Sequence, residues 1–311
     1  MKTRYLALTA AFTANLIYGI NYVIAKGIMP DYLQPRSIIL IRVIVAALLF
    51  WILKPFTKSE QIQKKHLLRI AIAAFFGVAV NQILFFEGLN LTTPINASII
   101  MVGVPIAVLI FSQLLMKEDI TKRKLLGIIL GSAGATFLIL TSGTINLEPG
   151  NFLGNLLVMA NAISYALFLV LIKPVMLHYQ AFTVMRWIFL FGALYVIPIT
   201  LPPALAENWN VIPVNIWLSI SYVVVFTTFL AYLLNNYSLR HINPATNSVM
   251  IYLQPVFASM IAIYYKKDQL TFQEVLAAMV IFAGVYFVIS KSGKTVDKVH
   301  ITQNQYHTKK L

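Results

Sequence analysis

Arg42, Glu87 and Arg186 interrupt long apolar runs of this chain. Such a charge is costly in hydrocarbon, so each is expected to face a bundle interior or a wet cavity. Arg42 lies five residues into its run and Glu87 four residues before the end of the next. At ~1.5 Å per residue both stand roughly 6–8 Å from one end of the bundle, where they are expected to meet. Arg186 lies five residues into a later run, near the opposite end, and there Tyr237 holds the position that corresponds to Glu87. Two readings stand side by side. Arg42–Glu87 and Arg186–Tyr237 are gates at opposite ends, with Glu87 also able to accept a coupling proton, or Arg42 and Glu87 form a structural ion pair that only neutralises two buried charges. A second set of residues is neutral: Asn15, Asn21, Asn96, Ser98, Asn247, Tyr252 and Gln254. Their donors and acceptors suit an amphoteric small molecule. The plainer reading is glue between helices, worth about 0.6 kcal/mol per bond.

The same inventory argues against catalysis. All five histidines (66, 178, 241, 300 and 307) fall between apolar runs or in the tail, and there is no Cys. His-Glu-x-x-His, paired acids within one run and the phosphate-cradling Gly-x-x-x-x-Gly-Lys-Ser/Thr loop are all missing, so hydrolysis and ATP-driven pumping lack their usual groups. No metal site and no cofactor is expected. A channel is the remaining rival, and prolines repeated at matched places suit alternating access better.

The elements that must position these residues follow from composition. The 311 residues are 59% hydrophobic and 11% charged, against about 25% charged in soluble domains. The expected solvent is lipid, where backbone groups must pair within a helix or a closed barrel. The apolar runs approach or exceed the ~20 residues that cross a bilayer as helix, and they do not alternate with period two. Ten spans are predicted: Tyr5–Ala25, Ser37–Leu53, Ile70–Leu91, Pro94–Met116, Leu125–Ser142, Phe152–Ile172, Ala181–Leu201, Ile216–Leu239, Pro244–Tyr265 and Phe272–Ser290. The first run exceeds a signal peptide's 7–15 apolar residues and lacks its small-residue cleavage pattern, so it is expected to stay as a span. The net charge of +14 sits in short loops and the tail, which speaks for a lipid bilayer and against nucleic acid. With both termini inside, inner segments hold eighteen Lys and Arg and outer loops four, a bias that predicts that orientation.

The chain also repeats itself. Glu87–Pro105 returns as Tyr237–Pro255 at a constant offset of 150, matching Leu89 with Leu239, Pro94 with Pro244, Ser98 with Ser248 and Pro105 with Pro255. The expected units are 1–142 and 151–290, followed by a basic tail, 291–311. Five spans is an odd number, so the second copy must enter the membrane inverted relative to the first. That places the counterparts Lys117 and Lys267 on opposite faces. The expected fold is an all-α integral membrane protein with ten transmembrane helices as two inverted five-helix repeats, an arrangement that puts a substrate site at the repeat interface. Gly127, Gly131 and Gly134 give the fifth helix a small-residue face, suited to a neighbouring helix or to a second protomer in a homodimer.

Tyr18-Gly19-Ile20-Asn21-Tyr22 in the first helix, its counterpart around Tyr165 at an offset of 147, the two proline blocks and Ala231-Tyr232 occur in a set order. Together they resemble EamA-type members of the drug/metabolite transporter superfamily over roughly residues 5–290. Tyr18 stands where Trp is the commoner family residue. The resemblance implies a secondary carrier of a bacterial inner membrane, exporting amino acids or related small metabolites. It implies a central cavity formed mainly by the third, fourth, eighth and ninth helices, with contributions from the first, second, sixth and seventh, and in it Tyr18, Asn21 and Tyr165 would face substrate.

Overall fold

The computed structural model describes residues 2–57, 60–141, 150–264 and 272–290, and among these regular structure is helical throughout. Ten segments follow one another: α1 Lys2–Ile28, α2 Pro35–Ile52, α3 Lys64–Leu91, α4 at 94–116, α5 Lys122–Thr141, α6 Gly150–Met176, α7 Ala181–Leu205, α8 Val214–His241, α9 at 244–264 and α10 Phe272–Ile289. Within the described residues, seven of them are long and apolar enough to cross a bilayer, and α10 contains a shorter apolar stretch, Val275–Ile289. α3 begins at Lys64, six residues before the expected Ile70, because Lys64 to Arg69 continue the helix as a polar turn. Lys267 and the tail from 291 lie outside the described residues, as does residue 142.

Polarity is distributed inside out. Leu48, Ile110, Leu114, Leu153, Leu194 and Leu218 are exposed, whereas Asn15, Asn81, Asn161, Asn235 and Asn236 are buried. An apolar exterior of this extent has no place in water and fits a lipid annulus.

Contacts fix the sense of each half. Arg4 donates to the carbonyl of Ile289, so α1 starts and α10 ends at one end of the bundle. Thr92, just past α3, donates to Asn155 of α6 at 2.6 Å, so α6 starts at the other end. The second set of five helices therefore runs opposite to the first.

Local structure repeats with the sequence. Pro94 and Pro244 occupy first-turn positions, where a missing N–H costs nothing. Their N-caps, Thr93 and Asn243, each accept from the backbone N–H three residues on. Asn243→Ala is expected to cost about 1 kcal/mol, read as a small drop in thermal midpoint of the purified protein. α4 breaks at Val102–Gly103, and α9 tightens into a 3₁₀ turn at Val249–Tyr252, in each case beside the conserved offset's second proline, Pro105 or Pro255. α3 widens into a π-helix at Phe75–Val80 and α8 at Tyr222–Leu230. Adding 150 to the first range gives 225–230, inside the second.

The halves meet most closely where α5 crosses α10. A Cβ on Gly284 would lie 2.5 Å from the backbone nitrogen of Gly131 and 2.7 Å from the carbonyl oxygen of Gly127. Gly134 faces Ile281. The small-residue face is thus filled from within the chain, and no second protomer is needed to cover it. Thr121 caps α5, accepting from the N–H of Lys124.

Candidate functional site

A cavity of about 80 Å³ lies at the seam between the halves. That is enough for several waters. From the first half it takes Tyr18, Asn21 and Tyr22 of α1, Arg42 of α2, Asn81, Gln82, Phe85 and Phe86 of α3, and Met101 of α4. From the second come Asn161 and Tyr165 of α6, Thr227 and Tyr232 of α8, and Ile251 and Gln254 of α9. Three symmetry pairs face it: Tyr18 with Tyr165, Gln82 with Tyr232, and Met101 with Ile251. Of the helices expected to contribute, α7 supplies none of the lining residues.

The π turns build its walls. A π turn leaves carbonyls poorly served by the helix, and in lipid they need other donors. Ser164 of α6 donates to the carbonyl of Phe76 at 2.7 Å, and the Tyr232 hydroxyl lies 3.1 Å from that of Gly77. In α8 the Thr228 hydroxyl reaches back five residues to the Val223 carbonyl at 2.8 Å. Thr228 then accepts from Nε of Arg42 at 2.7 Å, fixing the guanidinium. Arg42 is 4% exposed, and its guanidinium carbon stands 4.4 Å from the centroid of the Phe86 ring. A polar chain joins four helices. Tyr232 lies 3.3 Å from Oδ1 of Asn81, Asn81 donates to Asn161 at 2.5 Å, and Asn161 donates to the sulfur of Met101 at 3.3 Å. Asn235 donates to the hydroxyl of Tyr165 at 2.9 Å.

The remaining expected residues fall in different places. Asn15 sits behind the cavity and accepts from Gln254 at 2.7 Å, tying α1 to α9. Asn96 and Ser98 lie near the start of α4, outside the lining, and Asn96 donates to Thr92 at 3.3 Å. Asn247 is buried against the carbonyl of Asn235. Tyr252 is buried on α5, its hydroxyl 2.8 Å from that of Ser132. Asn96, Ser98, Asn247 and Tyr252 therefore stand outside the cavity they were expected to line.

Arg42 and Glu87 do not pair. Glu87 accepts from Arg36 at 2.7 Å, at the end of the bundle. α2 begins at Pro35, two residues earlier than expected, which sinks Arg42 about 3 Å deeper and brings Arg36 level with Glu87. Arg186 and Tyr237 form no bond either. The guanidinium carbon of Arg186 lies 4.9 Å from the centroid of the Trp51 ring, and Tyr237 packs on His241.

Two equivalent lysines each tie the first helix of a half to its third. Lys26, ending α1, donates to the carbonyls of Leu89 and Asn90 at 3.0 and 2.7 Å. Its counterpart Lys173 in α6 donates to Leu239, Arg240 and Ile242 at 2.6, 3.3 and 2.8 Å. Each ammonium thus caps the C-terminus of the third helix of its own repeat, where carbonyls lack partners and the dipole favours a cation. Lys26 does so at one end of the bundle and Lys173 at the other. The constant Lys26/Lys173 spacing was the available signal, Tyr22 ended the motif that begins at Tyr18, and Phe86 and Thr227 gave none.

Comparison with known proteins gives the same picture. The model of the EamA-like transporter family matches twice, over residues 5–140 and 152–290. The uncharacterized transporter YetK of Bacillus subtilis is 26% identical over 292 residues, covering 92% of this chain and 87% of the relative. A WAT1-related protein of Arabidopsis thaliana is 24% identical over 301 residues, covering 87% and 76%. One solved crystal structure superposes with a TM-score of 0.73 at 18% identity, over 91% of this chain and 97% of that one, which speaks for the fold alone.

Proposed function

This chain belongs to the EamA-like transporter family, and on that premise we propose that it is a secondary carrier working by alternating access. The cargo is a small metabolite, an amino acid or a related compound, moved outward across a bacterial inner membrane with both chain termini in the cytoplasm. The observation that carries the reading is the seam cavity, lined from both inverted halves and bounded at opposite ends by the equivalent Lys26 and Lys173 caps. Inverted repeats that share a midplane site are the architecture in which one half rocks against the other.

In this scheme the ion pair Arg36–Glu87 belongs to the gate at the Lys26 end. Its charges are 49% and 25% exposed, a pair weak enough to break and remake in each cycle. Glu87 is the acceptor of a coupling proton, since neutralising it releases Arg36. Arg186 and Tyr237 are assigned to the region of the opposite gate.

The test begins with metabolite profiles of medium from cells with and without the protein. The compound found is then loaded into proteoliposomes for counterflow. Saturable exchange is expected, with a pH dependence that Glu87→Gln flattens. Flux linear in concentration would favour a channel. A pH profile unchanged in Glu87→Gln would remove the coupling role.

A further inference from the structure

We infer that the cargo is a small organic monoanion, a carboxylate on a flat apolar body, with Arg42 as its counter-charge. The inference rests on the carrier reading and, within the class of metabolite given there, selects related carboxylates over zwitterionic amino acids. A guanidinium in a membrane interior is costly unless an anion neutralises it. Among the described residues none forms an ion pair with Arg42, and no Asp or Glu lines the cavity. The acid expected as its partner is held by Arg36 at the end of the bundle. Thr228 engages only Nε, so the guanidinium is anchored by one nitrogen, and its two terminal nitrogens match the two oxygens of a carboxylate.

The surroundings specify the rest of the molecule. Asn21 Oδ1 and the Thr227 hydroxyl are buried without partners among the described residues, and Gln82 has only the Tyr232 hydroxyl beside it. Each such group costs about 1–3 kcal/mol until something bonds it, so they are suited to a polar substituent. Tyr18, Tyr22 and Phe85 supply ring faces, against which a planar body packs. With one fixed positive charge and no negative one, the cavity complements a net charge of −1. An α-ammonium group would find only neutral acceptors there and would be repelled by Arg42.

The probes are three compounds with one ring and different charge: 3-phenylpropanoate, phenylalanine and 2-phenylethylamine. Their binding to the purified full chain is measured by titration calorimetry at pH 7. The acid is expected to bind at least about tenfold more tightly than the other two, as one charge-assisted bidentate contact allows. Arg42→Gln, which keeps a donor for Thr228, removes that preference, and Arg42→Lys retains part of it. Asn21→Asp, which places a carboxylate in the cavity and leaves Arg42 in position, moves the preference to phenylalanine, whose two charges then both find a counter-charge. It keeps the test decisive if Arg42→Gln does not fold. Equal or tighter binding of phenylalanine or the amine to the wild-type protein would overturn the inference, as would undiminished acid binding in Arg42→Gln or no saturable binding of the acid. Titration requires no flux. Arg42-dependent binding without counterflow in liposomes would sink the carrier reading alone, and counterflow of a zwitterion with no binding of the acid would sink only this one.

Discussion

Gly284→Leu is expected to cost at least ~3 kcal/mol and to lower the yield of folded protein in membranes severalfold. At this point α10 touches the backbone of α5 itself. A Cβ on Gly284 would stand 2.5–2.8 Å from the nitrogen and Cα of Gly131 and the carbonyl of Gly127. None of these atoms belongs to a side chain that can turn away, so the helices must separate. With them goes the packing of Ile128 and Ile281, both buried in the cluster that also holds Tyr252. In lipid no hydrophobic drive presses helices together, and close packing is what remains to hold them. Gly27→Ala is the matched control, since an added Cβ there meets nothing within 4 Å. Thermal unfolding in detergent and in-membrane yield measure both. A Gly284→Leu protein that melts within a degree of wild type would show that α5 and α10 do not lie as close as described.

The second large effect is expected for Lys173→Met. This lysine is 7% exposed, and its ammonium serves three carbonyls at and just past the end of α8. Methionine keeps the apolar stem and leaves the carbonyls without a donor. Each charge-assisted bond is worth about 1.5–3 kcal/mol. Since the bonds share one charge, the loss is expected at ~2–4 kcal/mol in total, a drop of several degrees in thermal midpoint. Lys26→Met should lose less, because Lys26 is half-buried and serves two carbonyls. Under the carrier reading the two variants also differ in direction. A cysteine placed at Thr227, in a chain with no native Cys, should label faster from the side of the termini in Lys173→Met and from the opposite side in Lys26→Met. Equal labelling from both sides in both variants would deny the lysines any part in closing the seam.

How far the sequence reached depends on the range of the forces involved. Helix number, inversion and the placing of Pro94 and Pro244 are set by apolar run length, local backbone chemistry and an internal copy, all visible along the chain. Tyr18, Asn21, Tyr165 and Gln254, expected to face substrate, line the seam cavity, and so does Arg42, which was expected at a gate. The partners of Arg42 and Glu87 were not legible. Arg36 against Arg42 as the neighbour of Glu87 turns on two residues of helix start, a difference below what run length can resolve. The π turns of α3 and α8 have no local signature. They persist because donors on other helices, Ser164 and Tyr232, meet the carbonyls of Phe76 and Gly77, and such a bond between distant positions is invisible until the chain is folded. Tyr252 was misplaced for a related reason. Its matched position suggested the cavity, whereas the absence of a side chain at Gly131 lets its ring lie on α5 instead.

The polar interior is held in common. Arg42 leans on Thr228, Gln254 on Asn15, Asn81 on Asn161, and Tyr232 on the carbonyl of Gly77. In every case one member comes from each copy. A single copy left in the bilayer would turn all of these groups toward acyl chains, so neither is a self-sufficient unit. Each five-helix unit needs the other against its polar flank, and one continuous chain makes that companionship permanent.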